Sequence, residues 1–207
     1  MPGCIPLRRT QSLPTDHQSD VFSKATSIVH HWLSAHVNHG DYVVDATCGN
    51  GYDTVLLAEL VGESGRVVAV DIQEAALART RDRLVEAGLL ARVSLKRMSH
   101  EHILDVLDPE EIQCAVFNLG YLPGADKRLV TAPNATVAAH EHLLSRLGPG
   151  GVIISTVYTG HAGGKEEAEA LYVWATGLDG KQFAVARHEW VNLDGEPPHI
   201  LIIHRRP

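Results

Sequence analysis

The sequence predicts an α/β fold: a seven-stranded, mostly parallel sheet with helices on both faces and an antiparallel hairpin at its C-terminal end. Three observations carry this expectation. Apolar runs of strand length alternate with longer amphipathic segments along the chain, the pattern of βαβ units around a parallel sheet. Glycines and prolines punctuate the borders between these runs. The last two runs are separated only by "NLDGEPP", too short for a crossover helix and suited to a hairpin.

Taken in order, the strands are expected at 42–46 (YVVDA), 66–70 (RVVAV), 92–96 (RVSLK), 113–118 (QCAVFN), 151–157 (GVIISTV), 183–191 (FAVARHEWV) and 199–204 (HILIIH). Helical periodicity covers 53–61, 73–87, 99–106, 134–147 and 164–177. Gly62, Gly88 and Gly148 fall where glycines end helices, and Pro109, Pro149 and the pair Pro197-Pro198 interrupt the pattern between elements. One more helix is expected at 19–37, before the first strand. Ser19 or Asp20 caps it, and Phe22, Ile28, Val29, Trp32, Leu33 and Val37 form its apolar face.

Length and composition narrow the function. A chain of 207 residues and 22.5 kDa suits one domain with a single well-buried core. We read residues 1–16 as a loose or docked tail and 17–207 as the domain; the tail has two arginines and no long apolar segment, so it fails as a secretory signal. No apolar stretch reaches the roughly 20 residues of a membrane span. Cys4, Cys48 and Cys114 make no C-x-x-C pair, which fits a reducing, cytoplasmic compartment and gives neither a disulfide framework nor a zinc site. A net charge of -7 argues against a broad basic field for nucleic acid, though not against a local patch. Among the 13 histidines, His30-His31, His100-x-His102 and His140-x-His142 lack helical metal-site spacing, so packing or surface roles are expected and no metal.

The stretch "DATCGNGYDT" at 45–54 joins the first strand to the next helix. A dinucleotide-binding loop needs glycine at its sixth position, where Thr54 stands, and an acid at Asp45 would repel a pyrophosphate. Asp45 suits the cationic amino group of a methionine moiety instead, with Gly49 and Gly51 letting the backbone approach a ligand. Cys48, Asn50, Asp53 and Thr54 complete the loop's candidate cofactor contacts. Asp71 ends the second strand in "VVAVDIQ", where an acid can accept both ribose hydroxyls, with Ile72 and Gln73 beside it; the plain alternative for Asp71 is a helix cap. Ser99 and His100 follow the third strand, where an adenine ring would lie, and Ser99 is equally suited to capping. Together with the hairpin-closed parallel sheet, these residues predict a Rossmann-like class I methyltransferase fold using S-adenosyl-L-methionine.

The acceptor side follows the fourth and fifth strands, whose carboxyl ends form the crevice of such a sheet. Asn118 can accept a hydrogen bond from an amine and aim its lone pair, and Asn118 also borders the cofactor. Tyr121 can stack on a base or a cation. In the glycine-rich loop 158–167, His161 can position substrate, act as general base or help bind phosphate; a satisfied loop histidine is the alternative.

The stretches "HQSD", "DATCGNGYDT", "VVAVDIQ", "FNLGYLPGADK" and "VYTGHAGGKEE" resemble the MnmM family, formerly described as rRNA methylases of the YtqB type, from about residue 17 to the C-terminus. The resemblance implies methylation of the aminomethyl group on the wobble uridine of tRNA, with the anticodon stem-loop as partner. It also implies a donor site at Asp45, Gly49, Asn50, Gly51, Asp71 and Gln73, and an acceptor loop at Asn118, Gly120, Tyr121, Asp126 and Lys127, followed by His161 and Gly163-Gly164-Lys165. Asp126 or His161 would take the proton, and Lys127, Arg128 and Lys165 would contact phosphates. Cys48 and the N-terminal extension with Cys4, Arg8 and Arg9 depart from the family's pattern. The rival readings are a methyltransferase acting on rRNA or a small amine, an NAD-dependent oxidoreductase disfavoured by Thr54 and Asp45, and a silent partner of tRNA-modifying enzymes. The N-terminal helix and the edge hairpin could each form a homodimer contact.

Overall fold

Seven strands hydrogen-bond in the order β3-β2-β1-β4-β5-β7-β6 in the computed structural model, which describes residues 24–120 and 133–207. They are β1 (Tyr42–Asp45), β2 (Arg66–Asp71), β3 (Val93–Arg97), β4 (Ile112–Leu119), β5 (Leu147–Val157), β6 (Phe183–His188) and β7 (His199–Arg205). The first five pair in parallel, and β7 lies antiparallel between β5 and β6. This is the expected sheet with its C-terminal hairpin.

Alternate residues along the strands feed two cores, as the two-residue period of a strand requires. Val43, Val67, Cys114 and Val152 face one core with α1 (Ala25–His36), α2 (Tyr52–Leu60) and α3 (Glu74–Glu86). Val44, Val68, Ala115 and Ile153 face the other with α4 (Pro133–Arg146) and α5 (Gly164–Thr176). Buried on both faces, the central strands read as continuous apolar runs. In α1, Ile28, Val29 and Leu33 are buried as expected. The predicted caps Ser19 and Asp20, Phe22, and the whole 1–16 tail lie outside the described residues.

Three expectations are corrected. The segment at 99–106 is a 3₁₀ helix, His100–Asp105, with non-helical backbone at His102 inside it; runs this short adopt the tighter turn readily. Gly148 does not end a helix: β5 begins directly at Leu147, and the positive φ of +76° belongs to Gly150. The β4–β5 register shifts between Ile112 and Cys114, and a side chain at Gly148 would lie 2.6 Å from the Gln113 amide. Finally, β6 stops at His188, three residues short of the expected end, and Val191 beyond it is 89% exposed.

Candidate active site

Strand order reverses direction between β1 and β4, so the crevice at their carboxyl ends is the natural ligand site of the sheet. Asp45 closes β1 and Asn118 stands near the end of β4. Between them, the Thr47 hydroxyl accepts a hydrogen bond from the Asn118 backbone N–H at 2.6 Å.

Asp45, Thr54 and Cys48 lie buried beneath the loop. Asp45 and Thr54 have no exposed surface and Cys48 is 4% exposed. Asp45 accepts from the Thr54 hydroxyl at 2.6 Å and from the Thr47 N–H at 3.2 Å. Burial, then the nearby Asp53 carboxylate, pushes the Asp45 carboxyl up to about 7. Thr54, at the position where a dinucleotide loop carries its third glycine, thus satisfies the buried Asp45 carboxyl. Burial likewise pushes the Cys48 thiol up.

The loop's upper side is held by α3. Gly51 adopts φ +81°, and a side chain there would lie 2.9 Å from the Thr80 Cα. Thr80 donates its hydroxyl to the Gly49 carbonyl at 3.2 Å, Arg79 donates to the Asn50 side-chain oxygen at 3.1 Å, and Arg83 donates to the Asn50 carbonyl at 3.0 Å. Sequence reasoning missed these three residues, although their spacing puts them on one helical face. Asp71 accepts from the Gly49 N–H at 3.0 Å and the Gln73 N–H at 2.9 Å. Burial raises its pKa, and those two N–H groups oppose the rise.

These groups fit a nucleoside joined to an amino acid. Asp71 is half-buried and each of its oxygens keeps a lone pair for a hydroxyl. Ile72 beside it is an exposed apolar side chain at 41%, suited to lie against a ring. Ser99 precedes the 3₁₀ helix without a side-chain cap bond. His100 is buried, packs edge-on against Phe117 at 5.9 Å between ring centroids, and its Nε2 has no hydrogen-bond partner among the described residues. Such an orphaned polar atom beside a crevice is a place for a ligand donor or acceptor.

On the acceptor side, Asn118 donates its side-chain amide to Asp53 at 2.7 Å, and His30 from α1 meets the other Asp53 oxygen at 2.8 Å. Asp53 thus carries one side-chain partner on each oxygen. His30 was set aside as packing in the sequence, and no local motif marks it. Tyr158 donates its N–H to the Leu119 carbonyl at 3.0 Å and keeps 41% of its surface exposed; burial of its ring, then Asp53, raises its pKa. Where the chain leaves β4, a side chain at Gly120 would lie 3.6 Å from the His161 Nε2, and one at Gly164 would lie 2.9 Å from it. Lys165, expected on phosphate, pairs with Glu196 at 2.6 Å. Tyr121, Asp126, Lys127 and Arg128 lie outside the described residues. Among those described, no group of three His, Cys, Asp or Glu residues could hold a metal ion, and no helix is long and apolar enough to cross a membrane.

A family model described as "Putative rRNA methylase" matches residues 67–204. An Arabidopsis thaliana protein named tRNA (mnm(5)s(2)U34)-methyltransferase, chloroplastic, is 32% identical, over 95% of this chain and 77% of its own length. The crystal structure of a "putative rRNA-methylase" from Clostridium thermocellum superposes with a TM-score of 0.85 at 38% identity, covering 88% of this chain and 97% of the other. A "putative methyltransferase" from Streptococcus mutans, solved in complex with SAH, gives a TM-score of 0.79 at 34% identity, over 87% of this chain and 97% of its own.

Proposed function

The chain belongs to the "Putative rRNA methylase" family, is an S-adenosylmethionine-dependent methyltransferase, and from that premise we propose that it N-methylates the aminomethyl group of the wobble uridine in tRNA. The product is the 5-methylaminomethyl form, on uridine or 2-thiouridine. One observation carries the amine reading: the Asn118 amide nitrogen is committed to Asp53, so its carbonyl oxygen is left to accept an N–H from the substrate. The named relative supports tRNA as the carrier of that amine.

Asp71, Gly49, Asn50, Gly51, Ile72, Gln73, Ser99 and His100 would hold the donor, with Asp45, Cys48 and Thr54 bracing the loop from below. Bound adenosylmethionine supplies a methyl group on a sulfonium sulfur, with a neutral thioether as leaving group. The chain's own part is to hold the neutral amine with its lone pair directed at that methyl; such alignment supplies about 7–11 kcal/mol. Asn118 orients the amine and Tyr121 packs on the uracil. Asp126 or His161 takes the proton released from nitrogen, and Lys127 and Arg128 meet the phosphates of the anticodon stem-loop. We take residues 17–207 as one methyltransferase domain and the cytoplasm as its compartment.

The test is methyl transfer from labelled adenosylmethionine to total tRNA from cells lacking the protein, followed by nucleoside mass analysis. Methylaminomethyl uridine should appear as its aminomethyl precursor disappears. Label found only in rRNA or in small amines would overturn the tRNA assignment.

A further inference from the structure

We infer that His30 is a positioning residue for the methyl acceptor: through Asp53 it fixes the Asn118 side chain so that the amide carbonyl, and not the NH2, faces the crevice. This rests on the amine acceptor proposed above. The geometry is a bridge of three side chains from separate elements, with His30 Nε2 at 2.8 Å from Asp53 Oδ1 and Asn118 Nδ2 at 2.7 Å from Asp53 Oδ2.

The chemistry of the bridge fixes its polarity. A carboxylate offers only lone pairs, so both neighbours must donate: His30 presents Nε2–H and Asn118 presents its NH2. The Asn118 oxygen is therefore the end left over. If the amide turned over, its NH2 would hydrogen-bond the amine's lone pair and hold it away from the methyl group. Asp53 prevents this only while its own rotamer is held, and His30 grips its second oxygen.

A plainer role for His30 is to pin α1 to the domain. Magnitude argues against that as its main effect. A partly exposed ion pair contributes about 0–1 kcal/mol, and His30 keeps 36% of its side chain exposed. The burial of Ile28, Val29 and Leu33 already anchors the helix, and each such side chain is worth about 1.5–3 kcal/mol.

Three variants and two readouts test the inference. His30→Leu removes the donor, His30→Gln keeps one, and Asn118→Ala removes what is positioned. With His30→Leu, kcat on tRNA should fall about tenfold, while KM for tRNA and calorimetric affinity for SAH stay within about twofold. His30→Gln should recover most of the loss. In an Asn118→Ala background, His30→Leu should cost nothing further, because coupled residues are not additive. The Asn118 side-chain NH2 resonances should shift and exchange faster with water in His30→Leu. An unchanged kcat, a loss confined to KM or SAH affinity, or a loss additive with Asn118→Ala would each overturn the inference. If the wild-type protein forms no methylaminomethyl uridine, the proposed function falls; the Asn118 NH2 resonances then decide the role of His30, unchanged signals refuting it.

Discussion

Asn118 and Asp53 share a hydrogen bond of 2.7 Å that joins the end of β4 to the first turn of α2. It links the strand carrying the acceptor group to the helix that opens from the donor loop, adding a side-chain tie to the backbone bond from Asn118 to Thr47. Removing the amide with Asn118→Ala should lower kcat by about 100-fold, since a misplaced reactant loses much of its alignment advantage. Affinity for SAH should change little, because Asp71 and the glycine loop are untouched. Single-turnover kinetics with calorimetry on the same variant checks both halves of that statement.

Gly51 meets the opposite constraint, close packing at left-handed backbone. A methyl group there would lie 2.9 Å from the Thr80 Cα, at φ +81°. Gly51→Ala should therefore destabilise the fold by about 1–3 kcal/mol and weaken SAH binding together, because the loop must move off α3. Thermal denaturation with and without SAH measures the two effects. An unchanged midpoint and unchanged affinity would refute this account of the loop.

Lys165 is tied to Glu196 at 2.6 Å, so the acidic residue competes with any phosphate for the ammonium group. Glu196→Gln should tighten tRNA binding by about two- to threefold and add to the slope of log affinity against log salt. Affinity for SAH should not move. A salt titration of tRNA binding for the wild type and the variant checks this.

The strands were legible because a sheet buried on both faces requires unbroken apolar runs, and Val43, Val44, Val67 and Val68 supply them. That Asp71 and Gly120 lie at the carboxyl ends of strands was legible because the strand runs end there in the sequence. What sequence does not contain is which side of a loop a residue faces. Asp45 and Thr54 have the right positions for ligand contacts, yet they satisfy each other below the loop. His30 and Arg83 were hidden for another reason: their partners lie 23 and 33 positions away, and no local pattern encodes such a pairing. The short segment after β3 formed a 3₁₀ turn at His100–Asp105 because a run of six residues gives an α-helix few hydrogen bonds.

Acid should destabilise this fold through two buried histidines. His140 is fully buried, stacks on Phe117 at 4.1 Å, and bonds Thr136 and Ser155 through its two ring nitrogens; His100 packs on the same ring edge-on. Burial lowers both from 6.5 to about 4. Between those values the unfolded chain binds the two protons and the folded chain does not, so stability falls as pH drops from about 6.5 to 4. Asp45 acts in the opposite sense, since its carboxyl is raised from 3.8 to about 7 and the folded state holds that proton. Asp71, also raised by burial, acts with Asp45; the two histidines, both inside the packed core, are expected to outweigh these carboxyls and leave a net loss on the acid side. Urea midpoints measured from pH 7 to 4 should decline, and His140→Phe should be less stable throughout but show a shallower decline. A slope unchanged by His140→Phe would mean that another group drives the acid response.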